Sequence, residues 1–290
     1  MSVLVDSECL LCHFRKNLKT AQPMGTEEQA LEFARELMKL YLSMPADASS
    51  PTVFPGTNQL FMDIFGAQKD RFREEKQRSN AFVMERLDAI RQRTEEAPDP
   101  VYAGLQMAVL GNYIDFSALH GEVSFEKLDE MLEKALQMEL DLEVYASLCA
   151  DLSKGKRLLY LTDNAGEIGF DRIFAQQLRK AYPHLDITFC VRGGNAQNDA
   201  TRADAAAVGI EFPVIDSGCA LAGTEISLLG QEARAAMLGA DVILAKGQGN
   251  AETLLDCGYN IYYAFLVKCV RFEARYGKPK FTPMFVKERQ

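Results

Sequence analysis

Oxygen-bearing and basic side chains follow short apolar runs at four places in this sequence. Asp163 and Asn164 follow the first run, and Asp199 lies a few residues beyond the second. Ser217 comes after the third run and Lys246 after the fourth. Carboxylate and carboxamide oxygens are the ligands that cations such as Mg²⁺ and Mn²⁺ prefer, and a lysine ammonium suits phosphate oxygens. These residue types indicate a metal site beside an anion site, which is what phosphate chemistry requires.

The spacing of the apolar runs predicts that the four groups of side chains converge. Helical segments over 168–181, 200–208 and 228–238 separate most of the runs, which span 157–162, 186–191, 212–215 and 241–245. Such alternation predicts an α/β fold with a Rossmann-like, largely parallel sheet and helices on both faces. Parallel strands bring their carboxyl ends to one edge of the sheet, where ligands bind.

We therefore assign roles to the residues at this edge. Asp163, Asn164 and Asp199 are the predicted metal ligands. The two aspartates are also predicted to be catalytic residues, because the metal that they hold can polarise the phosphoryl group. Lys246 is predicted to bind the phosphate and to stabilise charge that develops in the transition state. Taken singly, the acidic and amide residues also suit helix N-caps, and the lysine also suits a solvated loop. Their coincidence at successive strand ends favours the functional interpretation.

The first half of the chain has the pattern of a helical domain. Helices are predicted over 27–44, 68–96, 101–110 and 125–152, the first with a capping box formed by Thr26 and Gln29. We place an all-helical domain at 1–150 and the Rossmann-like domain at 151–290, where the segments 261–267 and 281–286 can add strands.

Four further residues are candidates for contact with substrate or phosphate. Asn112 and Asp115 lie at a Gly-Asn break in the helical half and can reach across a cleft, or can simply cap and follow a helix. Glu167 can support the metal site or favour the positive end of the next helix. Ser217, after the third run, is the remaining phosphate-binding candidate.

Composition excludes several classes of partner. The net charge of -9 argues against nucleic acid and anionic membranes as partners, and no apolar run reaches the length of a membrane span. Seven cysteines, an odd number, favour a reducing cytoplasm over a disulfide framework. Cys9 and Cys12 form a Cys-x-x-Cys pair that suits a metal or redox role as well as inert thiols. The sequence leaves the oligomeric state open.

Several motifs of this sequence resemble those of the damage-control phosphatases, a metal-dependent family long catalogued as a domain of unknown function. The similarity spans essentially the whole chain and rests on these ordered segments: 9–12, 99–100, 111–116, 163–167, 192–201 and 245–250. It implies a helical part before a Rossmann-like part, with Asp163, Asn164 and Asp199 holding the metal and Lys246 meeting the phosphate. The expected activity is hydrolysis of phosphate monoesters of small, damaged or surplus metabolites, such as sugar or cofactor phosphates, with Mn²⁺, Co²⁺, Ni²⁺ or Mg²⁺. The Cys-x-x-Cys start resembles the stand-alone microbial branch.

Two alternative functions remain at this stage. A methyltransferase that uses S-adenosylmethionine would also suit a Rossmann-like sheet, but it would need an acidic residue after the second strand, where this chain has Arg192. A non-catalytic metal- or metabolite-binding protein would need the carboxylates but not Lys246.

Overall fold

The protein contains one mixed sheet flanked by helices. The computed structural model describes residues 5–67, 70–114, 130 and 135–287. Within them the strands are β1 (Arg157–Leu161), β2 (Asp186–Val191), β3 (Val214–Asp216), β4 (Val242–Lys246), β5 (Ile261–Leu266) and β6 (Pro283–Lys287). Their order is β3-β2-β1-β4-β5-β6, and only β6 is antiparallel to its neighbour. The order reverses between β1 and β4, which is where an open α/β sheet leaves a ligand-binding crevice.

Alternate side chains of each central strand enter two separate cores. In β1, Leu158 and Tyr160 lie in one hydrophobic cluster, whereas Leu159 and Leu161 lie in the other. All of these residues are buried. The central strands are therefore apolar on both faces, as expected for a parallel sheet covered by helices on each side.

The helices before the sheet make up most of the first half of the chain. They are α1 (Ser7–Ala21), α2 (Glu27–Leu42), α3 (Phe54–Phe65), α4 (Arg73–Glu95), α5 (Pro100–Gly111) and α6 (Leu142–Lys154). The helices between and after the strands are α7 (Glu167–Ala181), α8 (Arg202–Ala207), α9 (Gln231–Gly239), α10 (Gly247–Leu254) and α11 (Val270–Tyr276). Short 3₁₀ helices occur at Gln22–Met24, Ser50–Val53, Asn112–Ile114, Ala135–Gln137 and Ile226–Leu228.

Helix α5 is buried on almost every side and joins the helical half to the sheet. Val101 and all residues from Ala103 to Gly111 are buried. The helix packs closely on α7 because Gly104 lies against Phe174, where an added Cβ would come within 2.9 Å of the ring. Its last turn leads directly into Asn112, so this packing places a residue of the helical half at the edge of the sheet.

The predicted fold class is confirmed: a helical N-terminal region precedes a largely parallel sheet with helices on both faces. The capping box of Thr26 and Gln29 is present. The division into domains at residue 150 stays a prediction. None of the helices in the described part of the chain is both long and apolar enough to cross a membrane.

The predicted helix over 125–152 is wrong in part. Residues 115–129 and 131–134 lie outside the described residues, and 138–141 are not helical. The backbone there bonds to side chains instead, because Met138 accepts from Gln106 and the Leu140 N–H donates to Tyr102. Asp141 then caps a new helix by accepting from the first backbone N–H groups of α6. Helices α1, α3, α10 and α11 were not predicted.

We predict that Gly104→Val destabilises the fold, because the added side chain would press against Phe174 in a core that has no room. The free energy of unfolding should fall by about 1–3 kcal/mol, measured by urea denaturation. Leu42→Ala is the control, since Leu42 is 87% exposed and its loss should change stability by less than about 0.5 kcal/mol. Equal stability of Gly104→Val and the wild type would contradict this account of the helix contact.

Candidate functional site

The loops after β1 and β2 pair with each other at the carboxyl edge of the sheet. The Ala200 N–H donates to the Asp163 carbonyl at 2.7 Å, and the Ala165 N–H donates to the Asn198 carbonyl at 2.8 Å. Asn164 and Asp199 are opposite each other in this short antiparallel bridge. The structure thus brings together the three residues that the sequence predicts as metal ligands.

The Asp163 carboxylate is buried and held on one oxygen. Its Oδ2 accepts from the Asn112 Nδ2 at 2.8 Å and from the Asn164 Nδ2 at 2.7 Å. Burial raises the pKa of Asp163 well above its ordinary value, and the carboxylates of Glu167 and Asp199 raise it further, against the opposing charges of Lys268 and Arg192. The other oxygen, Oδ1, lies 4.0 Å from the guanidinium of Arg192.

Arg192 holds the second carboxylate. Its Nε donates to the Asp199 Oδ2 at 2.6 Å, and its side chain is 1% exposed. The remaining guanidinium nitrogens donate to the carbonyls of Gly223 and Thr162 and to Asn250. The basic residue at the end of β2 is therefore a structural partner of Asp199, buried below the loops that carry the predicted ligands.

Glu167 and Asn112 connect the predicted ligands to the helical half. Glu167 is the first residue of α7 and is fully buried; its Oε2 accepts from both Asn112 and Asn164. The Asn112 Oδ1 accepts from the backbone of Leu266. The carboxamide of Asn112 therefore bridges two carboxylates and the end of β5, and its predicted contact with phosphate stays a prediction. Asp115 lies outside the described residues.

Lys246 lies in the same cluster, but its ammonium is hydrogen-bonded to other groups of the protein. It is fully buried and donates to Glu167 at 2.8 Å, to Asp171 at 2.6 Å and to the carbonyl of Ala108 at 2.7 Å. Burial acts to lower the pKa of Lys246, but the two carboxylates hold it above its ordinary value, so the group remains an ammonium. An ammonium has three protons to donate, and all three have acceptors here. The predicted contact with phosphate stays a prediction, and these bonds argue against it.

The hydroxyl of Ser217 is also hydrogen-bonded within the protein. It is fully buried, and its hydroxyl donates to the Cys219 carbonyl at 3.0 Å while accepting from the Gly193 N–H at 3.1 Å. The hydroxyl thereby joins the loops that follow β2 and β3. Its predicted contact with phosphate is not supported by this geometry.

Sequence reasoning missed residues that hold or approach the site. Asn80 in α4 accepts from the N–H of Gly166 at 2.7 Å and donates to Asp204, so it fixes the turn after Asn164. Nothing in its spacing could have identified it. Lys268 follows β5. Because a strand was predicted over residues 261–267, Lys268 could have been recognised from the sequence as a further basic residue at the carboxyl end of a strand. The backbone N–H of Lys268 donates to Gln248 at 2.8 Å.

The Cys-x-x-Cys pair lies in α1. The half-buried Cys9 thiol accepts from the guanidinium of Arg271 at 3.2 Å, and Cys12 is exposed. Burial raises the pKa of Cys9. Within the described part of the chain, no group of three His, Cys, Asp or Glu side chains is arranged to hold a metal.

The residues at the sheet edge fit a divalent cation by the chemistry of their donors. The set consists of two carboxylates and one carboxamide. Because one of its three donors is an asparagine, it is not a group of three His, Cys, Asp or Glu side chains of the kind described above. Asn164 donates both of its amide protons to carboxylates, and its Oδ1 has no donor among the described residues. The carboxylates of Glu167 and Asp199 add to the effect of burial in raising the pKa of Asp163, and a bound cation would offset that cost.

Comparisons with known proteins agree with one another. The family model of the damage-control phosphatase ARMT1-like domain matches residues 5–281. A damage-control phosphatase of Pyrococcus horikoshii is 29% identical over 283 residues, covering 95% of each chain, and one of Archaeoglobus fulgidus is 29% identical over 242 residues, covering 82% of this chain and 81% of that protein. The crystal structure of a DUF89 family protein from Pyrococcus horikoshii superposes with a TM-score of 0.84 at 26% identity, covering 99% of both chains.

We predict that Gly247→Ala disrupts the cation site. Gly247 has a φ of 78°, and an ideal Cβ there would overlap the Asp163 carboxylate, so any side chain must displace that ligand. The affinity for Mn²⁺, measured by calorimetric titration, should fall at least about tenfold, or about 1.4 kcal/mol. Gly258→Ala is the matched control: its φ is 83°, and nothing lies within 4 Å of the added Cβ. Equal Mn²⁺ affinity in the two variants would contradict the placement of the site.

We predict that Lys246→Met affects stability before it affects substrate binding. Removal of the ammonium leaves Glu167 and Asp171 buried without their cation, which should cost about 3–5 kcal/mol in urea denaturation. Lys180→Met is the control, because the ion pair of Lys180 with Glu95 is 60% and 40% exposed and contributes less than about 1 kcal/mol. A Lys246→Met protein with wild-type stability but weakened phosphate binding would instead support the direct contact.

Proposed function

Because this chain belongs to the damage-control phosphatase ARMT1-like domain family, we propose that it is a metal-dependent phosphatase that hydrolyses phosphate monoesters of small metabolites. The observation that carries the proposal is the pairing of the loops after β1 and β2, which sets Asp163 and Asn164 beside Asp199. These are oxygen donors at the edge of the sheet where ligands bind. The two damage-control phosphatases similar to this chain support hydrolase chemistry.

In the proposed site, Asp163, Asn164 and Asp199 hold the cation, and Mn²⁺, Co²⁺, Ni²⁺ and Mg²⁺ all suit such donors. When bound, the ion supplies Lewis-acid polarisation of the phosphoryl group. The protein contributes orientation. Asn112 holds Oδ2 of Asp163 and Glu167 holds the amide of Asn164, which leaves the Oδ1 atoms of Asp163 and Asn164 for the cation.

Lys268 is the cation that we propose for binding the phosphate. Its charge lowers the pKa of Asp163, an effect smaller than the opposing effects of burial and of the neighbouring carboxylates. Lys268 is only partly buried. Gln248 fixes the Lys268 backbone, and Gln248 is itself bonded to Glu252 at 2.7 Å. A lysine ammonium that is partly exposed and close enough to act on Asp163 suits phosphate oxygens.

The alternatives are less well supported. A methyltransferase needs an acidic side chain after β2 to hold a ribose, and the residue there is Arg192, buried against Asp199. A binding protein without catalytic activity would share the ligands, and turnover separates it from an enzyme. Within the phosphatase proposal, we expect damaged or surplus sugar or cofactor phosphates as substrates. We also propose a cytoplasmic location, which the reducing preference of a seven-cysteine chain favours.

The test is phosphate release from a panel of sugar and cofactor phosphates and p-nitrophenyl phosphate, with each divalent metal in turn. We expect chelator to abolish turnover and Asp163→Asn to lower kcat by at least about 100-fold, or about 2.7 kcal/mol. Asp186→Asn is the control, because Asp186 is exposed at the opposite end of β2. Lys268→Ala should raise KM and weaken inhibition by inorganic phosphate without weakening Mn²⁺ binding. Full activity of the metal-stripped protein or of Asp163→Asn would refute the proposal.

A further inference from the structure

A cavity of about 490 Å³ lies between the helical half and the loops that follow β2 and β3. One wall is the backbone of residues 193–197, which leads into Asp199 two residues later. The Asp199 N–H donates to the Ala196 carbonyl at 3.0 Å, so this wall and the predicted metal ligand belong to one turn. The cavity is therefore beside the proposed catalytic edge.

The shape of this wall depends on close contact between two loops. An added Cβ at Gly193 would come within 2.6 Å of the backbone at Gly218 and Cys219, and one at Gly194 within 2.9 Å of Ala220. The Ser217 hydroxyl bonds to the N–H of Gly193 across the same contact. Ser217 therefore fixes the backbone that forms this wall of the cavity.

The lining of the cavity is rich in carboxamides. Five of its residues are asparagine or glutamine: Asn17, Asn58, Gln59, Asn195 and Gln197. Among the described residues, no side-chain hydrogen bond holds Asn58, Asn195 or Gln197. A carboxamide both donates and accepts, so a wall of this kind matches the hydroxyl groups of a polyol or sugar.

Arg71 is the one charged residue that lines the cavity. Its guanidinium carbon lies 3.8 Å from the centre of the Phe61 ring, and its Nε is buried without a hydrogen-bond partner. No ion pair with a carboxylate in the described part of the chain neutralises it. Burial lowers the pKa of Arg71, the direction expected for a cation that lacks a counter-charge. An anionic group in the cavity would supply that charge.

We propose that this cavity binds the organic part of the phosphate ester, and that it selects a hydroxylated group with a second negative charge, which Arg71 holds. This inference rests on the proposed phosphatase function and adds the substrate class. The ester phosphate occupies the edge at Asp163 and Asp199, the carboxamides contact the hydroxyl groups, and the guanidinium pairs with the distant anion.

The test compares two open-chain esters that differ only at carbon 1, glucitol 6-phosphate with a hydroxymethyl group and 6-phosphogluconate with a carboxylate. We expect the wild type to favour 6-phosphogluconate at least about tenfold in kcat/KM, mainly through KM. Arg71→Gln should remove this preference, and Arg71→Lys should keep part of it because the charge remains. Arg73→Gln is the matched control: it removes an exposed charge two residues away that does not line this cavity. Arg73→Gln should keep both the preference for 6-phosphogluconate and the wild-type turnover of p-nitrophenyl phosphate.

The outcomes separate this inference from the proposed function. If p-nitrophenyl phosphate is hydrolysed but Arg71→Gln keeps the wild-type ratio of the two sugar esters, the cavity assignment is overturned and the phosphatase stands. If no ester releases phosphate with any metal, the phosphatase proposal fails. Calorimetric titration with 6-phosphogluconate then decides about the cavity, because weaker binding to Arg71→Gln than to Arg73→Gln supports it and equal binding overturns it.

Discussion

A buried ammonium at the end of β4 requires acceptors, and the arrangement of the site follows from how the protein supplies them. Lys246 takes Glu167 and Asp171 from one face of α7, four residues apart, and the Ala108 carbonyl from α5. A charge without water must be paired and fully hydrogen-bonded, so the strand and the two helices cannot shift independently. One oxygen of Glu167 is occupied by this bond. The other is therefore directed at Asn112 and Asn164 and fixes both amides against Asp163.

The same arrangement concentrates negative charge where a cation is needed. Asp163 and Glu167 share the carboxamides of Asn112 and Asn164. Lys246 pairs with the other oxygen of Glu167, and Arg192 pairs closely with Asp199 but stays 4.0 Å from Asp163. The raised pKa of Asp163 records the resulting cost, which comes first from burial and then from the neighbouring carboxylates. A fold that accepts this cost at a sheet edge, while pairing the neighbouring charges of Lys246 and Arg192, has the character of a binding site.

The parts of this structure that follow from local pattern could be predicted from the sequence, and those that depend on long-range contacts could not. Alternating apolar runs and helices identified the parallel sheet, and parallel strands alone brought Asp163, Asn164 and Asp199 to one edge. The partners of Lys246 were missed because Asp171 lies inside an amphipathic helix and Ala108 contributes only its carbonyl. Helix α10 was missed as well: it begins at Gly247, directly after β4, and buries Asn250 and Thr253. The interruption of the helix predicted over 125–152 had the same origin, since it depends on side chains of α5.

The position of the cavity suggests how one catalytic edge can serve different substrates. The residues that hold the proposed cation are tied to the sheet and to α5 and α7 by buried hydrogen bonds, so a change in any of them disturbs the rest. The polar lining of the cavity comes instead from α1, α3, the residues before α4 and the outer part of the loop after β2. Arg71 makes no hydrogen bond to the ion network, and its guanidinium rests on the ring of Phe61. Substitutions there alter which organic group is accepted without altering the cost of holding the cation, because the two sets of residues share only the backbone of one loop.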